Sequence, residues 1–204
     1  MPTLWSWGYG VKGRLGLNQS GAGTEYSSPV QIPGTTWSKL GFFGSGATAI
    51  KTDGTMWAWG YNQYGQLGQN NRTNYSSPTQ IPGTTWQYAD YKFDAMNASN
   101  NESAWAGGIK TDGTLWAWGE NEYGELGQNN KTDYSSPVQV GSGTDWYRVS
   151  NGPSTMSRHH AIKTDGTLWS WGENTSGCLG INQPANIRFS SPVQVPGTTW
   201  KEVN

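Results

Sequence analysis

Residues 109–119 read IKTDGTLWAWG, and the phrase returns almost unchanged along the chain. It is IKTDGTMWAWG at 50–60 and IKTDGTLWSWG at 162–172, and its second half, TLWSWG, stands at Thr3–Gly8. Each copy runs on into Gly-x-Leu-Gly, at Gly13–Gly16, Gly65–Gly68, Gly124–Gly127 and Gly177–Gly180. Ser-Ser-Pro follows, at Ser27–Pro29, Ser76–Pro78, Ser135–Pro137 and Ser190–Pro192. A tryptophan then closes the unit, at Trp37, Trp86, Trp146 and Trp200, and these lie 49, 60 and 54 positions apart. Periods near 50 belong to propellers and solenoids. The chain is accordingly a single repeat domain of four units, 1–37, 38–86, 87–146 and 147–200, with 201–204 continuing the opening strand of a shared closing blade.

The phrase also specifies local structure. Asp-Gly between strand-forming residues is a hairpin signal, because both turn positions must accept positive φ. Asp53-Gly54, Asp112-Gly113 and Asp165-Gly166 are therefore turn tips. After each tip the strand alternates, Met56 and Ala58 on one face against Trp57 and Trp59 on the other. Both faces look covered, as in stacked blades. No stretch keeps the apolar spacing of an amphipathic helix. The fold class is all-β, a β-propeller of about four repeat units, closed by or assembled with a partner.

Composition agrees. Hydrophobic residues are 33% and charged residues 13%, both low, while 29 Gly and 13 Trp fill the difference. Disordered chains are poor in aromatics, so the core is expected to be built from large rings, each burying much area. Net charge is −1, and no basic stripe marks a nucleic-acid footprint. One cysteine, Cys178, excludes an internal disulfide framework and a cysteine zinc site. No apolar run approaches a membrane span, and Met1–Gly10 has no signal-peptide pattern.

The succession IKTDGTLWAWGENEYGELG followed by SSPVQV resembles the repeat of the regulator of chromosome condensation family, over essentially the whole chain. The resemblance implies a β-propeller; family members usually have seven four-stranded blades. It also carries the eukaryotic founder's activities, nucleotide exchange on a small GTPase and docking on nucleosomes, and it extends to scaffolds and to bacterial and viral repeats. This sequence departs from the pattern in unit number. It also departs where family repeats carry a His before the inner strand, because Gly46, Trp105 and Arg158 stand there. No residue matches an exchange-factor site, and fold alone does not transfer function.

One Asp per tip is too few oxygens for calcium, so Asp53, Asp112 and Asp165 are read as turn residues. Asn62, Asn121 and Asn174 precede glycine-rich turns, which asparagine favours. Trp116 and Trp118 suit a sugar-stacking platform, but strict repetition places them in the core. His159-His160 lacks a repeat equivalent and a cysteine nearby, so a metal or catalytic role is set aside. No nucleophile–base set, phosphate loop or cofactor motif is present. The expectation is a non-enzyme without a cofactor.

The informative departure is length. From the closing Trp to the next Ile the chain takes 13 positions after Trp37, 23 after Trp86 and 16 after Trp146. Insertions of this kind gather on one face, often the binding face. The longest holds Tyr91, Lys92, Phe93, Asp94, Asn97, Asn100, Asn101 and Trp105, aromatics mixed with adaptable polar groups, which suits a contact loop. The expected function is a structural or adhesive module of a virion or cell surface, binding a protein partner or copies of itself. A glycan-binding lectin is the first alternative; a regulatory scaffold or exchange factor is the second. Leu4–Trp7 and Trp200–Val203 are expected in one blade that is a strand short. That blade can close on itself, be completed by further copies, or take a strand from another protein.

Overall fold

The computed structural model describes residues 2–43, 45–93, 104–151 and 157–202. The first blade holds two strands, β1 (Leu4–Tyr9) and β2 (Glu25–Ile32). The second has four: β3 (Trp37–Phe43), β4 (Gly46–Lys51), β5 (Met56–Gly60) and β6 (Tyr75–Gln80). The third runs β7 (Trp86–Phe93), β8 (Ala104–Lys110), β9 (Leu115–Gly119) and β10 (Tyr134–Gln139). The fourth runs β11 (Trp146–Asn151), β12 (Arg158–Lys163), β13 (Leu168–Glu173) and β14 (Arg188–Val195). Every blade is an antiparallel meander in sequence order. Each four-stranded blade begins on the tryptophan at which a repeat unit ends in sequence. Among the described residues the helical turns are short 3-10 segments, and no helix is long and apolar enough to cross a membrane.

The hairpin tips lie where Asp-Gly puts them, with a difference in geometry. Gly54, Gly113 and Gly166 carry φ of +78°, +76° and +80°, while the aspartates do not enter the positive-φ region. Gly54 N donates to Lys51 O at 3.0 Å, and Lys51 N to Thr55 O at 2.9 Å. This is a tight turn followed by a left-handed glycine, not a pair of left-handed residues. The reason is a side-chain bond: Asp53 Oδ1 accepts from Thr55 N at 2.9 Å and from Thr55 Oγ1 at 2.6 Å. Asp112 and Asp165 do the same with Thr114 and Thr167. These bonds hold all three carboxyls below the usual aspartate range.

The core is aromatic. Trp59, Trp118 and Trp171 are at most 1% exposed, each set against the tryptophan that opens its own blade. Ring centroids are 6.3 Å apart for Trp37–Trp59, 5.8 Å for Trp86–Trp118 and 6.3 Å for Trp146–Trp171. Tilted and edge-on pairs of this kind add about 0.5–1.5 kcal/mol each beyond burial. The half-buried Trp57, Trp116 and Trp169 face the same partners and carry a lysine over the ring, Lys51, Lys110 and Lys163, at 4.1, 4.0 and 5.0 Å. Their indoles donate to the tip threonines at 2.8–2.9 Å. The first strands of successive blades touch, β3 on β7 and β7 on β11, which puts them at the narrow side of the stack.

Among the described residues β1 pairs with β2 alone, and Trp200 N donates to Gly166 O at 3.1 Å. Trp7 is 60% and Trp200 39% exposed, and of the three ways of completing their expected common blade, closure within one chain is not seen among the described residues.

Candidate functional site

The antiparallel meander gives the stack two faces. Hairpin tips and Pro-Gly turns lie on one. The strand 1–2 loops and the Gly-x-Leu-Gly connectors lie on the other, and Tyr61 N to Ser45 O and Glu120 N to Ala104 O (2.9–3.0 Å) tie the two kinds of segment together.

On this connector face a buried asparagine organises each full blade. Asn62 Oδ1 accepts from Leu67 N at 2.8 Å while its Nδ2 donates to Asn71 O at 3.0 Å and Thr73 O at 2.9 Å. Asn121 repeats the set with Leu126, Asn130 and Thr132, and Asn174 with Leu179 and Pro184. These asparagines cross-link the connector. Among the described residues the left-handed asparagines are others, Asn18, Asn70, Asn129, Asn182 and Asn186, at φ between +53° and +66°.

The long insertion leaves from this face. Tyr91, Lys92 and Phe93 are the end of β7, opposite Ala106, Trp105 and Ala104 of β8. Asp94, Asn97, Asn100 and Asn101 lie outside the described residues. Trp105 is not on a loop: it sits in β8 opposite Gly119, 1% exposed, within the core between the third and fourth blades. His159, also 1% exposed, stacks on Trp171 at 5.2 Å and lies against Trp105. His160 Nδ1 is 2.7 Å from Ser170 Oγ. Among the described residues no group of three or more His, Cys, Asp or Glu could hold a metal.

At the root of the insertion stand carboxylates that sequence reasoning did not single out. Glu120 Oε2 accepts from Ala104 N at 3.1 Å, the first residue after the insertion. Burial pushes its carboxyl up to about 7; the Ala104 bond opposes this, and Asp133 and Glu122 add to it. Glu125 is fully buried, and desolvation raises it to about 8. Its Oε2 accepts from Tyr123 N at 2.7 Å, whereas Gln66 Oε1 does this for Tyr64 N in the second blade. Asp133 accepts from Asn121 N at 3.0 Å and pairs with Arg72 across the blade junction, also at 3.0 Å. The signal was in the repeat: the variable position of Gly-x-Leu-Gly holds Arg14, Gln66, Glu125 and Cys178. The arrangement leaves Glu122 as the exposed carboxylate beside the insertion, with Asp133 paired to Arg72 and Glu120 and Glu125 held toward their neutral forms.

Comparison with known proteins agrees with this architecture. The regulator of chromosome condensation (RCC1) repeat matches residues 53–88, 112–154 and 165–203. The ultraviolet-B receptor UVR8 of Arabidopsis thaliana is 28% identical over 200 residues, 94% of this chain and 42% of the receptor. Human WBSCR16 superposes with a TM-score of 0.75 at 19% identity, covering 94% of this chain and 47% of its own. Prp20p of Saccharomyces cerevisiae superposes at 0.73 and 16% identity, covering 96% and 47%. The chain spans less than half the length of each. With the repeat matched over more than half of its residues, the chain belongs to the regulator of chromosome condensation (RCC1) repeat family.

Proposed function

We propose that this chain is a non-enzymatic protein-docking propeller, whose contact surface is the connector face of the third blade. The observation that carries the reading is the exposed carboxylate Glu122, with Glu120 and Asp133 beside it, at the root of the longest insertion, Tyr91–Trp105. Such a surface suits a basic protein partner, since complementary charge speeds encounter and sets register. Relatives support docking as the class: Prp20p is described by its binding to Gsp1p and histones. A regulatory scaffold therefore has at least as much support as a structural or adhesive component of a virion or cell surface.

Titration of purified histones and of Gsp1p tests this, using the intact chain and two variants. One variant replaces 94–103 with a two-residue link like that between Phe43 and Gly46. The other is Glu122→Lys, at an exposed carboxylate. Weakening of about tenfold or more in both variants is expected. Binding that ignores both would remove the site, and no binding to either protein would remove the partner class.

A further inference from the structure

On the hairpin-tip face each four-stranded blade sets a lysine beside the tryptophan that opens it. The indole N–H of Trp37, Trp86 and Trp146 is buried and, among the described residues, has no hydrogen-bond partner. Buried donors are as a rule paired, so the same orphan in three blades calls for an explanation. A bare glycine stands next to it. A Cβ added to Gly83 would lie 3.6 Å from Trp86 Nε1 and 3.3 Å from Lys110 Nζ. In the fourth blade a Cβ added to Gly143 would lie 3.2 Å from Trp146 Nε1, 3.6 Å from Lys163 Nζ and 3.1 Å from Asp145 Oδ1. The two donors therefore meet at a glycine in both blades. In the fourth a carboxylate joins them, with Lys163 Nζ 3.1 Å from Asp145 Oδ1.

Asp145 holds the place that Thr36 and Thr85 hold in the other two blades. The main-chain carbonyls of all three accept the same bond, from Thr164 N, Thr52 N and Thr111 N, at 2.8–2.9 Å. Thr36 and Thr85 turn their hydroxyls onto the carbonyls of Thr35 and Thr84. Among the described residues Lys51 and Lys110 have no carboxylate at ion-pair distance. The tip aspartates Asp53 and Asp112 feel their charge, but each is tied through Oδ1 to Thr55 or Thr114. The two ammonium groups rest on rings instead, 4.1 Å from Trp57 and 4.0 Å from Trp116. Lys163, which has its carboxylate, stands 5.0 Å from Trp169.

We infer that Lys51 and Lys110 receive the carboxylates of an acidic peptide segment of a partner protein, in the place that Asp145 fills from within the fourth blade. An ammonium held over aromatic faces keeps its donors, and a half-buried ion pair is screened less than one in open solvent. Access comes from a hollow of about 500 Å³ between the second and third blades, with Lys39 and Lys51 on one side and Thr85, Trp86 and Thr111 on the other. The source is a peptide for two reasons. The resident carboxylate is itself carried on a Gly-Thr-Asp segment, Gly143–Asp145. Two sites in adjacent blades also favour a chain that bears several carboxylates. This face lies opposite the connector face, so the inference stands or falls apart from the docking reading.

Titration of the intact chain with an octa-aspartate peptide, followed through the indole N–H resonances, tests it. The Trp37 and Trp86 signals are expected to shift while that of Trp146 stays in place. Lys51→Met together with Lys110→Met keeps an apolar stem over the rings and should weaken binding about tenfold or more. Lys110→Arg, which retains the cation, should keep the Trp86 shift. Asp145→Asn should open a third site, with Trp146 now shifting. Circular dichroism melting confirms that each variant is folded, and the two Met variants are read singly if the double variant is not. The inference is overturned by unmoved Trp37 and Trp86 signals at about 1 mM peptide, by an equal Trp146 shift in the unaltered chain, by binding that ignores the lysine variants, or by no new shift in Asp145→Asn. Equal binding of octa-asparagine would eliminate the charge, and acetate that reproduces the shifts at matched carboxylate concentration would eliminate the peptide.

Discussion

Thr3–Gly8 and Thr167–Gly172 are the same hexapeptide, TLWSWG, in opposite surroundings. In the fourth blade Trp171 is 1% exposed; in the first, its counterpart Trp7 is 60% exposed. Both copies form strand 3 of their unit and pair with a Ser-Ser-Pro strand, β13 with β14 and β1 with β2. The difference lies in what stands beside them. Trp171 has Trp146 on its own first strand and the connector of the third blade over its indole. Trp7 has neither. The period-2 pattern therefore fixes strand and face, while burial comes from position in the stack.

The sharpest way to break this comparison is to delete the ring in both copies. Trp171→Ala should cost about 3–5 kcal/mol, the range for a fully buried aromatic, while Trp7→Ala should cost less than about 1 kcal/mol, as at surface positions. Urea unfolding measures both, and equal losses would refute the role given to the stack.

A second test concerns the buried carboxyl that separates the third blade from the second. The folded state holds the Glu125 proton up to about pH 8, while the unfolded chain releases it near the ordinary carboxyl value of 4.5. The folded state thus binds more protons, so this contribution to stability is complete below about pH 4.5 and is lost as pH rises to about 8. Glu125→Gln should remove the dependence and raise stability at pH 8–9 by about 2–4 kcal/mol. Gln66→Glu should install the same dependence in the second blade. Melting temperatures across pH 5–9 provide the check, and parallel profiles for wild type and Glu125→Gln would contradict it.

The smallest effect sharpens the junction itself. Gly124 and Gly177 have nearly the same left-handed backbone, φ +82° and +75°, so alanine strains both alike, by about 1 kcal/mol. Only at Gly124 does the new methyl meet Ser190, at 2.7 Å. Gly124→Ala should therefore be the more destabilising by about 1–3 kcal/mol, the range for overpacking. Urea unfolding of the two variants reads that difference.

Much of this was legible in sequence because the repeat states it several times over. The strands, the Asp-Gly tips and the tryptophan core follow from short-range pattern, and the repeat identified the family. What pattern cannot carry is distance between units. The lysines over the tryptophan pairs, the indole bonds to connector carbonyls and the carboxyl placement at Glu120 and Glu125 come from neighbouring strands or the next blade. Length alone assigns Trp105 to the insertion; its opposition to Gly119 across β8–β9 puts it in the core. Asn62, Asn121 and Asn174 were recognised as structural, but their cross-linking role depends on residues nine to eleven positions ahead.

The indole that joins one blade to the next bonds a main-chain carbonyl and ignores the side chain beside it, so Arg14, Gln66 and Glu125 all serve the same joint. A joint of that kind has no lock-and-key identity. The side chain at that joint is left free to set local charge, while contacts such as Arg72–Asp133 and Trp105–His159 stay particular to their own junctions. Drift at the variable connector position can then tune a blade's electrostatics without disturbing the indole bond.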